Sequence, residues 1–224
     1  MHMKSPTSPS SVQVSRDAED FSVVLGGPLF QLLRRARLSD DAMMLVRRRI
    51  IAISLLAWLP LLLLSALDGK LWGEEVAVPF LRDLETHIKF LVVIPLFVIA
   101  ELVVHQRMRP IVQTFLDRNL IPEAAMARFD AAITSAFRLR NSVLAEILLI
   151  AFVYGVGVLI IWRHFTALDA STWYATPSSE GSKLSLAGMW YGYVSLPIFQ
   201  FLLIRWYFRI VIWARFLWQV SRIE

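Results

Sequence analysis

Long apolar runs alternate with charged segments along the chain. The runs cover about residues 50–67, 87–104, 143–162 and 184–206. Each holds at least 18 residues, enough for an α-helix rising ~1.5 Å per residue to cross ~30 Å of hydrocarbon. The second run is the least regular, because Lys89 and Glu101 lie near its ends. The pattern predicts an all-α fold, a polytopic membrane helix bundle with four transmembrane helices.

The segments outside these runs divide into a tail and two amphipathic stretches. Residues 1–20 are polar and rich in Ser and Pro, which predicts a disordered cytoplasmic tail before a helical membrane domain at 21–224. Residues 26–38 place leucines and Phe30 against three arginines, so a helix here either lies on anionic lipid or packs under the bundle. Residues 121–140 repeat apolar positions at helical spacing, which predicts an amphipathic helix used for packing.

Basic residues mark one side of the predicted bundle. Three segments are rich in them: Arg34, Arg35, Arg37, Arg47, Arg48 and Arg49; Arg107, Arg109, Arg118, Arg128, Arg138 and Arg140; and Arg205, Arg209, Arg215 and Arg222. The two remaining loops hold Lys70, Arg82, Arg163 and Lys183. Since Lys and Arg accumulate on the cytoplasmic side, both termini are expected in the cytoplasm.

Composition narrows the classes of function. The chain is 57% hydrophobic and 18% charged, with a mean hydropathy of +0.57, a net charge of +5 and no cysteine. Its basic residues lie beside apolar runs, so we expect anionic phospholipid headgroups and not nucleic acid as their partners. Signatures of nucleophilic catalysis, phosphate-binding loops and zinc sites are absent from the sequence. We therefore expect no enzyme activity and no cofactor.

The sharpest chemical feature is a set of ionisable residues at one predicted depth. Arg205 and Arg209 share a helix face and repel each other, and no acid lies between Glu180 and Glu224 to neutralise them. Glu101 and Glu146 belong to other spans and lie near the same cytoplasmic ends. We predict an inner-leaflet ionic layer of Glu101, Glu146, Arg205 and Arg209, joined by His105. It either staples the helices, reaches lipid phosphates or forms a path for protons or anions.

A second polar cluster is predicted on the outer side. It comprises Asp83, Glu85, His87 and Lys89 from one loop and His164 and Asp169 from the other. These residue types can bind a divalent metal, but they show no ligand spacing, which favours a solvated loop. Pro60, Pro95 and Pro197 interrupt spans and predict ordinary kinks. Gly188-x-x-x-Gly192 and Ala151-x-x-x-Gly155 suit close helix approach, inside the bundle or between copies.

Several strings carry a resemblance that covers most of the chain after the tail. They are GGPLFQLLRR, AWLPLLLLSAL, VVHQRMRP, RFDAAI, RLRNS and SLPIFQFLLIRWYFRIVIWARFLWQVSR. Together they resemble a family of uncharacterised bacterial multi-pass inner-membrane proteins. Members continue past the position of Glu224 into a polar loop and further spans, so the resemblance is to their N-terminal part. It implies a bacterial inner-membrane location and no known activity or site residues.

Two functions are weighed on these observations. The first is a non-enzymatic scaffold or subunit of a membrane assembly, partnered by a second copy or by another membrane subunit. The alternative is a small transporter or channel that uses the ionic layer. Transport needs polar residues through the middle of the bundle, and strings such as VVIPLFVI and LLIAFVY are apolar. The sequence therefore favours the first function.

Overall fold

The fold is taken from a computed structural model that describes residues 42–118, 121–162, 171–178 and 181–223. Three predictions lie outside these residues: the tail at 1–20, the amphipathic stretch at 26–38, and the part of the outer cluster formed by His164 and Asp169. The side chain of His105 also lies outside the description, although its backbone is helical.

Helices make up nearly all of the described chain. The α-helices are α1 (Ala42–Leu67), α2 (Leu84–Ile88), α3 (Ile94–Asp117), α4 (Met126–Arg140), α5 (Val143–Phe152), α6 (Leu186–Trp190) and α7 (Leu196–Val220). Wider, π-helical turns at Lys89–Val93 and Tyr191–Ser195 connect α2 to α3 and α6 to α7, and another at Val153–Trp162 continues α5. Short 3₁₀ turns cover Phe80–Arg82 and Glu123–Ala125. Strands β1 (Ala175–Ser178) and β2 (Gly181–Leu184) form one hairpin.

Four helical stretches of the described chain are long and apolar enough to cross a membrane, which confirms the predicted all-α membrane bundle. The first span is Val46–Leu67, the second Leu84–Val112, the third Val143–Ile160 and the fourth Leu186–Val220. The second and fourth spans extend past their predicted ends at 104 and 206. Their helices continue because an apolar face continues with them, through Val112 on one and Ile212 and Phe216 on the other.

Two of the wide turns are explained by proline. Pro95 follows the turn Lys89–Val93 and Pro197 follows the turn Tyr191–Ser195, each at the second residue after the turn. Proline lacks an N–H and its ring crowds the carbonyl four residues earlier, so the preceding turn opens. The predicted kinks at Pro95 and Pro197 are therefore changes of helix type.

Carbonyls released by proline serve as acceptors between spans. Pro197 leaves the carbonyl of Tyr193 without its usual α-helical donor, and the Tyr154 hydroxyl donates to that oxygen at 3.1 Å. Pro60 does the same for Leu56, whose carbonyl accepts the Trp190 indole N–H at 3.4 Å. These bonds tie the third span to the fourth and the fourth to the first.

The chain divides into two compact units. The described residues of the smaller unit lie in Ala100–Val143 and Tyr207–Glu224. Helix α4 packs its face of Phe129, Ile133 and Ala136 against Ile212 and Phe216 of α7. The amphipathic stretch predicted at 121–140 is thus a packing surface, and this packing explains why α7 stays helical so far past Arg209.

The described residues of the larger unit lie within 42–99 and 144–206. Its core contains Ala57, Leu61, Phe90 and Ile94, all of which are fully buried. At one end of this unit, Phe80, Trp173 and Tyr191 pack edge to face, with the hairpin beside them. We call this the hairpin end, and we call the opposite end, where Arg49, Glu146 and Arg205 lie, the arginine end.

The hairpin was not predicted from the sequence. Its register pairs Ala175 with Leu184 and Ser178 with Gly181. Ser185 then caps α6 by accepting the Gly188 N–H at 2.9 Å, and its hydroxyl donates to the Trp173 carbonyl at 2.8 Å. A Cβ on Gly188 would lie 1.9 Å from the Tyr174 carbonyl oxygen, so Gly188 serves packing inside this unit.

Candidate functional site

In the smaller unit, the predicted ionic residues Glu101 and Arg209 form a salt bridge between an Nη1 donor of the arginine and a carboxylate oxygen of the glutamate. The two side chains are each about 6% exposed. Glu101 comes from α3 and Arg209 from α7, so the pair joins the second and fourth spans. A buried carboxylate and guanidinium neutralise each other and also satisfy each other's hydrogen bonds.

In the larger unit, Glu146 and Arg205 lie close to each other. A carboxylate oxygen of Glu146 lies 3.9 Å from Nη2 of Arg205, with side-chain exposures of 15% and 6%. This contact joins the third and fourth spans at the arginine end. The four acidic and basic members of the predicted layer are thus found as two pairs, one in each unit, and the layer as a whole stays a prediction.

Arg49 was missed by sequence reasoning. It had been grouped with Arg47 and Arg48 as a topology signal, yet those two side chains are exposed and Arg49 is only 4% exposed. The spacing held the signal, since Arg49 falls four residues before Ile53 and eight before the buried Ala57. It therefore belongs to the inward face of the first span.

The inward faces of the first and fourth spans meet at Ala57 and Ser195. The Ser195 hydroxyl, which is fully buried, donates to the Ala57 carbonyl at 2.7 Å. Leu67 of the first span and Leu186 of the fourth lie at the hairpin end, so the two spans are antiparallel. Arg49 lies eight residues from Ala57, ~12 Å along its helix, and Arg205 lies ten residues from Ser195, ~15 Å along its own. The two guanidinium groups thus belong to similar depths of the larger unit.

Two further polar side chains lie between the Ala57–Ser195 contact and the arginine end. Ser54 is 8% exposed, and its Oγ has no hydrogen-bond partner among the described residues. Oε1 of Gln200 is also buried without a hydrogen-bond partner among the described residues. The Gln200 side chain lies against Gly157, where an added Cβ would be 2.2 Å from this oxygen. We call Arg49, Ser54, Ser195, Gln200 and Arg205 the polar seam. The apolar strings VVIPLFVI and LLIAFVY belong to the second and third spans, whereas the polar seam belongs to the first and fourth.

The outer cluster is ordered in its described part. Asp83 caps α2, accepting the Thr86 N–H at 3.1 Å and hydroxyl at 2.7 Å, and it accepts the Trp173 indole N–H at 2.9 Å. His87 accepts the Trp58 indole N–H at Nδ1, also at 2.9 Å. The prediction of a solvated loop is wrong for Asp83 and His87, because the indole N–H groups of Trp173 and Trp58 donate hydrogen bonds to their side chains.

Glu85 and Lys89, the other described members of this cluster, form a salt bridge with Nζ 2.5 Å from a carboxylate oxygen. Among the residues that the structure describes, no group of histidine, aspartate and glutamate side chains has a metal-binding arrangement. Nearby, Tyr174 stacks on Tyr191 at 5.8 Å between ring centroids, and burial raises the pKa of the Tyr174 hydroxyl. The described residues of the hairpin end thus form a packed aromatic cap.

The geometry supports an integral membrane protein whose charged and polar side chains contact one another between spans, in the two ion pairs and in the polar seam. Comparison with models of known protein families, with curated proteins and with solved structures finds no match to this chain.

Proposed function

We propose that this protein is a non-enzymatic scaffold or subunit of a membrane assembly in the bacterial inner membrane, with both termini in the cytoplasm. The observation that carries the proposal is the exposure of the third span. Only 17% of its apolar window is buried inside the protein, against 22% for the first and second spans and 33% for the fourth. None of the ten residues Val143–Phe152, all described, is buried. A span held this loosely offers a long apolar face to another transmembrane helix or to lipid.

The packed hairpin end supports the same proposal. Above Ser195 the interior is filled by Leu61, Phe90 and Tyr191, and Trp173 packs on Tyr191 at 5.3 Å between ring centroids. The polar seam therefore ends, on the side of the hairpin end, at a layer of aromatic and aliphatic side chains. Such a layer favours a scaffold over a channel, because a solute could not pass through it without a rearrangement of these side chains.

A small transporter or channel is the second candidate, and the polar seam favours it. Ser54, Ser195 and Gln200 place hydroxyl and amide groups within the membrane-spanning helices, where polar residues often mark solute pathways. On this reading the aromatic cap is a closed gate and Arg205 part of the path.

One pair of experiments separates the two candidates. Anion and proton flux is measured in proteoliposomes for the parent protein, Arg205→Ala and Arg215→Ala, the latter an exposed arginine on the same helix. The scaffold proposal expects no flux above empty vesicles. Flux that Arg205→Ala abolishes and Arg215→Ala leaves unchanged would establish the transporter.

The positive test of the scaffold uses a photo-crosslinking residue in native membranes. It is placed at Leu148 of the third span or at Leu63 of the first span, two leucines that are exposed to similar extents. We expect a discrete, reproducible protein adduct at Leu148, formed by a second copy or another membrane subunit, and lipid adducts at Leu63. Lipid adducts alone at both positions would contradict the proposal.

A further inference from the structure

His87 connects the first two spans through one ring nitrogen. Its Nδ1 accepts the indole N–H of Trp58 at 2.9 Å. Trp58 lies in α1, and His87 lies in α2, at the start of the second span. An indole nitrogen can only donate, so Nδ1 supplies the lone pair and the proton of the neutral imidazole is on Nε2. The contact therefore exists only while His87 is neutral.

Aromatic rings enclose this hydrogen bond. The Phe80 ring lies edge to face against the imidazole, with 5.0 Å between the ring centroids, and 6.0 Å from the indole of Trp58. Phe80 is fully buried, whereas Trp58 and His87 are half-buried. The three rings thus fix the orientation of the imidazole, and a part of the His87 side chain stays exposed at the hairpin end, where a proton can reach it.

Protonation of His87 would reverse the role of Nδ1. Both nitrogens of an imidazolium are donors, so the Nδ1–H would face the indole N–H of Trp58 and neither would have an acceptor in this contact. An imidazole changes its charge between about pH 5 and 8. Because the fold uses the neutral form, the stabilisation by this hydrogen bond is present at high pH and is lost as the pH falls through that range.

Asp83 offers the imidazolium a different partner. It caps α2 four residues before His87, and its carboxylate accepts three hydrogen bonds, from the Thr86 N–H, the Thr86 hydroxyl and the Trp173 indole. Opposite charges four residues apart on a helix attract each other. A protonated His87 is therefore drawn toward its own helix and away from the first span.

Other charged or ionisable side chains of the described chain do not compete for His87. From Ile50 to Leu67 the first span contains none. Those of the hairpin end and its loops form no hydrogen bond or ion pair with the imidazole, namely Asp68, Lys70, Glu74, Glu75, Arg82, Glu85, Lys89, Tyr174, Lys183 and Tyr191. The partner of His87 is thus Trp58 in the neutral form, and Asp83 is the acid available to the charged form.

We propose that His87 is an acid-released latch between the first span and α2. The neutral imidazole holds Trp58, and protonation releases Trp58 and loosens the first span from α2. On the topology that the arginine distribution predicts, the hairpin end is outside, so the latch responds to acidification outside the cell. The latch is compatible with a scaffold and with a transporter, since it depends only on the contacts of His87.

The first experiment measures the contribution of Trp58 to stability at two pH values. It uses the full chain in detergent with His2, His105 and His164 replaced by glutamine, which leaves His87 as the one histidine. Trp58→Phe removes the N–H and keeps an aromatic ring. We expect Trp58→Phe to lower the unfolding temperature by about 2–4 °C more at pH 8 than at pH 5, the shift that corresponds to one hydrogen bond. An equal loss at both pH values overturns the proposal.

His87→Asn is the matched control. Asparagine places an amide oxygen near the position of Nδ1 and does not titrate, so it can accept the indole N–H of Trp58 at either pH. In this background Trp58→Phe should lower the unfolding temperature equally at pH 8 and pH 5. A loss that still shrinks at pH 5 would assign the pH dependence to a group other than His87, which also overturns the proposal.

A second measurement keeps the test valid if Trp58→Phe does not fold. The chain has no cysteine, so spin labels can be attached through Leu59→Cys in α1 and Ile88→Cys in α2, two exposed positions. We expect the distribution of distances between the labels to broaden from pH 8 to pH 5 with His87 in place, and to stay unchanged in His87→Asn. A distribution that is the same at both pH values with His87 in place overturns the proposal.

Discussion

Arg209 and Glu101 neutralise each other inside the smaller unit, each with about 6% of its side chain exposed. The arginine comes from the most unusual stretch of the sequence, an apolar helix that carries Arg205, Arg209 and Arg215. The three cations have three different environments. Arg209 pairs with Glu101, Arg205 approaches Glu146, and Arg215 is exposed.

Replacing Glu101 with glutamine is expected to destabilise the protein by about 3 kcal/mol, because Arg209 would keep its charge in a buried place without the carboxylate. The measurement is thermal or denaturant unfolding in detergent. Arg215→Gln is the control, expected to change stability by less than about 0.5 kcal/mol. The double variant Glu101→Gln/Arg209→Met should recover part of this loss. A loss in the double variant equal to the sum of the losses in Glu101→Gln and Arg209→Met would contradict a direct interaction.

Replacing Tyr154 with phenylalanine removes the hydroxyl that donates to the Tyr193 carbonyl. The expected loss is about 0.6 kcal/mol, the scale of a hydrogen bond between transmembrane helices. Tyr207→Phe, at an exposed tyrosine, is the matched control. If proline releases this carbonyl, the cost of Tyr154→Phe should shrink when Pro197→Ala is present, because the helix then supplies its own donor. An unchanged cost in the Pro197→Ala background would count against that explanation.

Replacing Gly188 with alanine is expected to cost about 3 kcal/mol, since the new Cβ would lie 1.9 Å from the Tyr174 carbonyl oxygen and would force the hairpin away from α6. Gly155→Ala is the control, because nothing lies within 4 Å of a Cβ at that position. Alanine should there be neutral or stabilising by up to about 1 kcal/mol. Equal unfolding temperatures for the two variants would show that Gly188 is not tightly packed.

Replacing Asp83 with alanine is expected to cost about 2 kcal/mol, because Asp83 caps α2 and also accepts the Trp173 indole N–H. Glu85→Ala, at an exposed acid two residues away, should cost less than about 1 kcal/mol despite losing its contact with Lys89. The measurement is unfolding followed by tryptophan fluorescence. A Glu85→Ala variant as unstable as Asp83→Ala would exclude a special role for the cap.

Orientation has its own test, because the chain contains no cysteine. Single cysteines at Ser178, in the hairpin, and at Thr134, on the exposed side of α4, introduce unique labels. The arginine distribution predicts that a membrane-impermeant thiol reagent added outside labels Ser178→Cys and spares Thr134→Cys until the membrane is opened. The reverse pattern would overturn the predicted topology.

Hydropathy was sufficient to find the four spans, because burial in hydrocarbon demands long apolar helices whatever the tertiary structure. Depth along each helix was sufficient to select Glu101, Glu146, Arg205 and Arg209 as candidates for ion pairs, but which acid contacts which arginine was not predicted and is seen only in the structure. Arg49 was missed because charge counting treats every arginine near a span as a topology signal. Only the four-residue spacing to Ile53 and Ala57 separates this arginine from its exposed neighbours Arg47 and Arg48.

Other features depend on tertiary contacts, which the sequence pattern does not reveal. The hairpin Ala175–Leu184 has a polar, short sequence, and its order comes from Trp173 and from the close approach of Gly188 to Tyr174. Ser54 and Gln200 were passed over because single polar residues in an apolar run do not lower its average hydropathy much. Their importance follows from the face they share with buried neighbours, which requires the fold.

The wide turn at Tyr191–Ser195 has a consequence for comparing sequences. A π-helical turn accommodates an additional residue, and deleting one residue from it would rotate everything downstream by about 100° unless the turn closed to an α-helix. If the turn closed to an α-helix after the deletion, the Arg205 side chain would point in the same direction as before, in a chain one residue shorter. A one-residue gap between Tyr191 and Ser195 in an alignment therefore marks two versions of the same helix, and positions on its two sides remain equivalent.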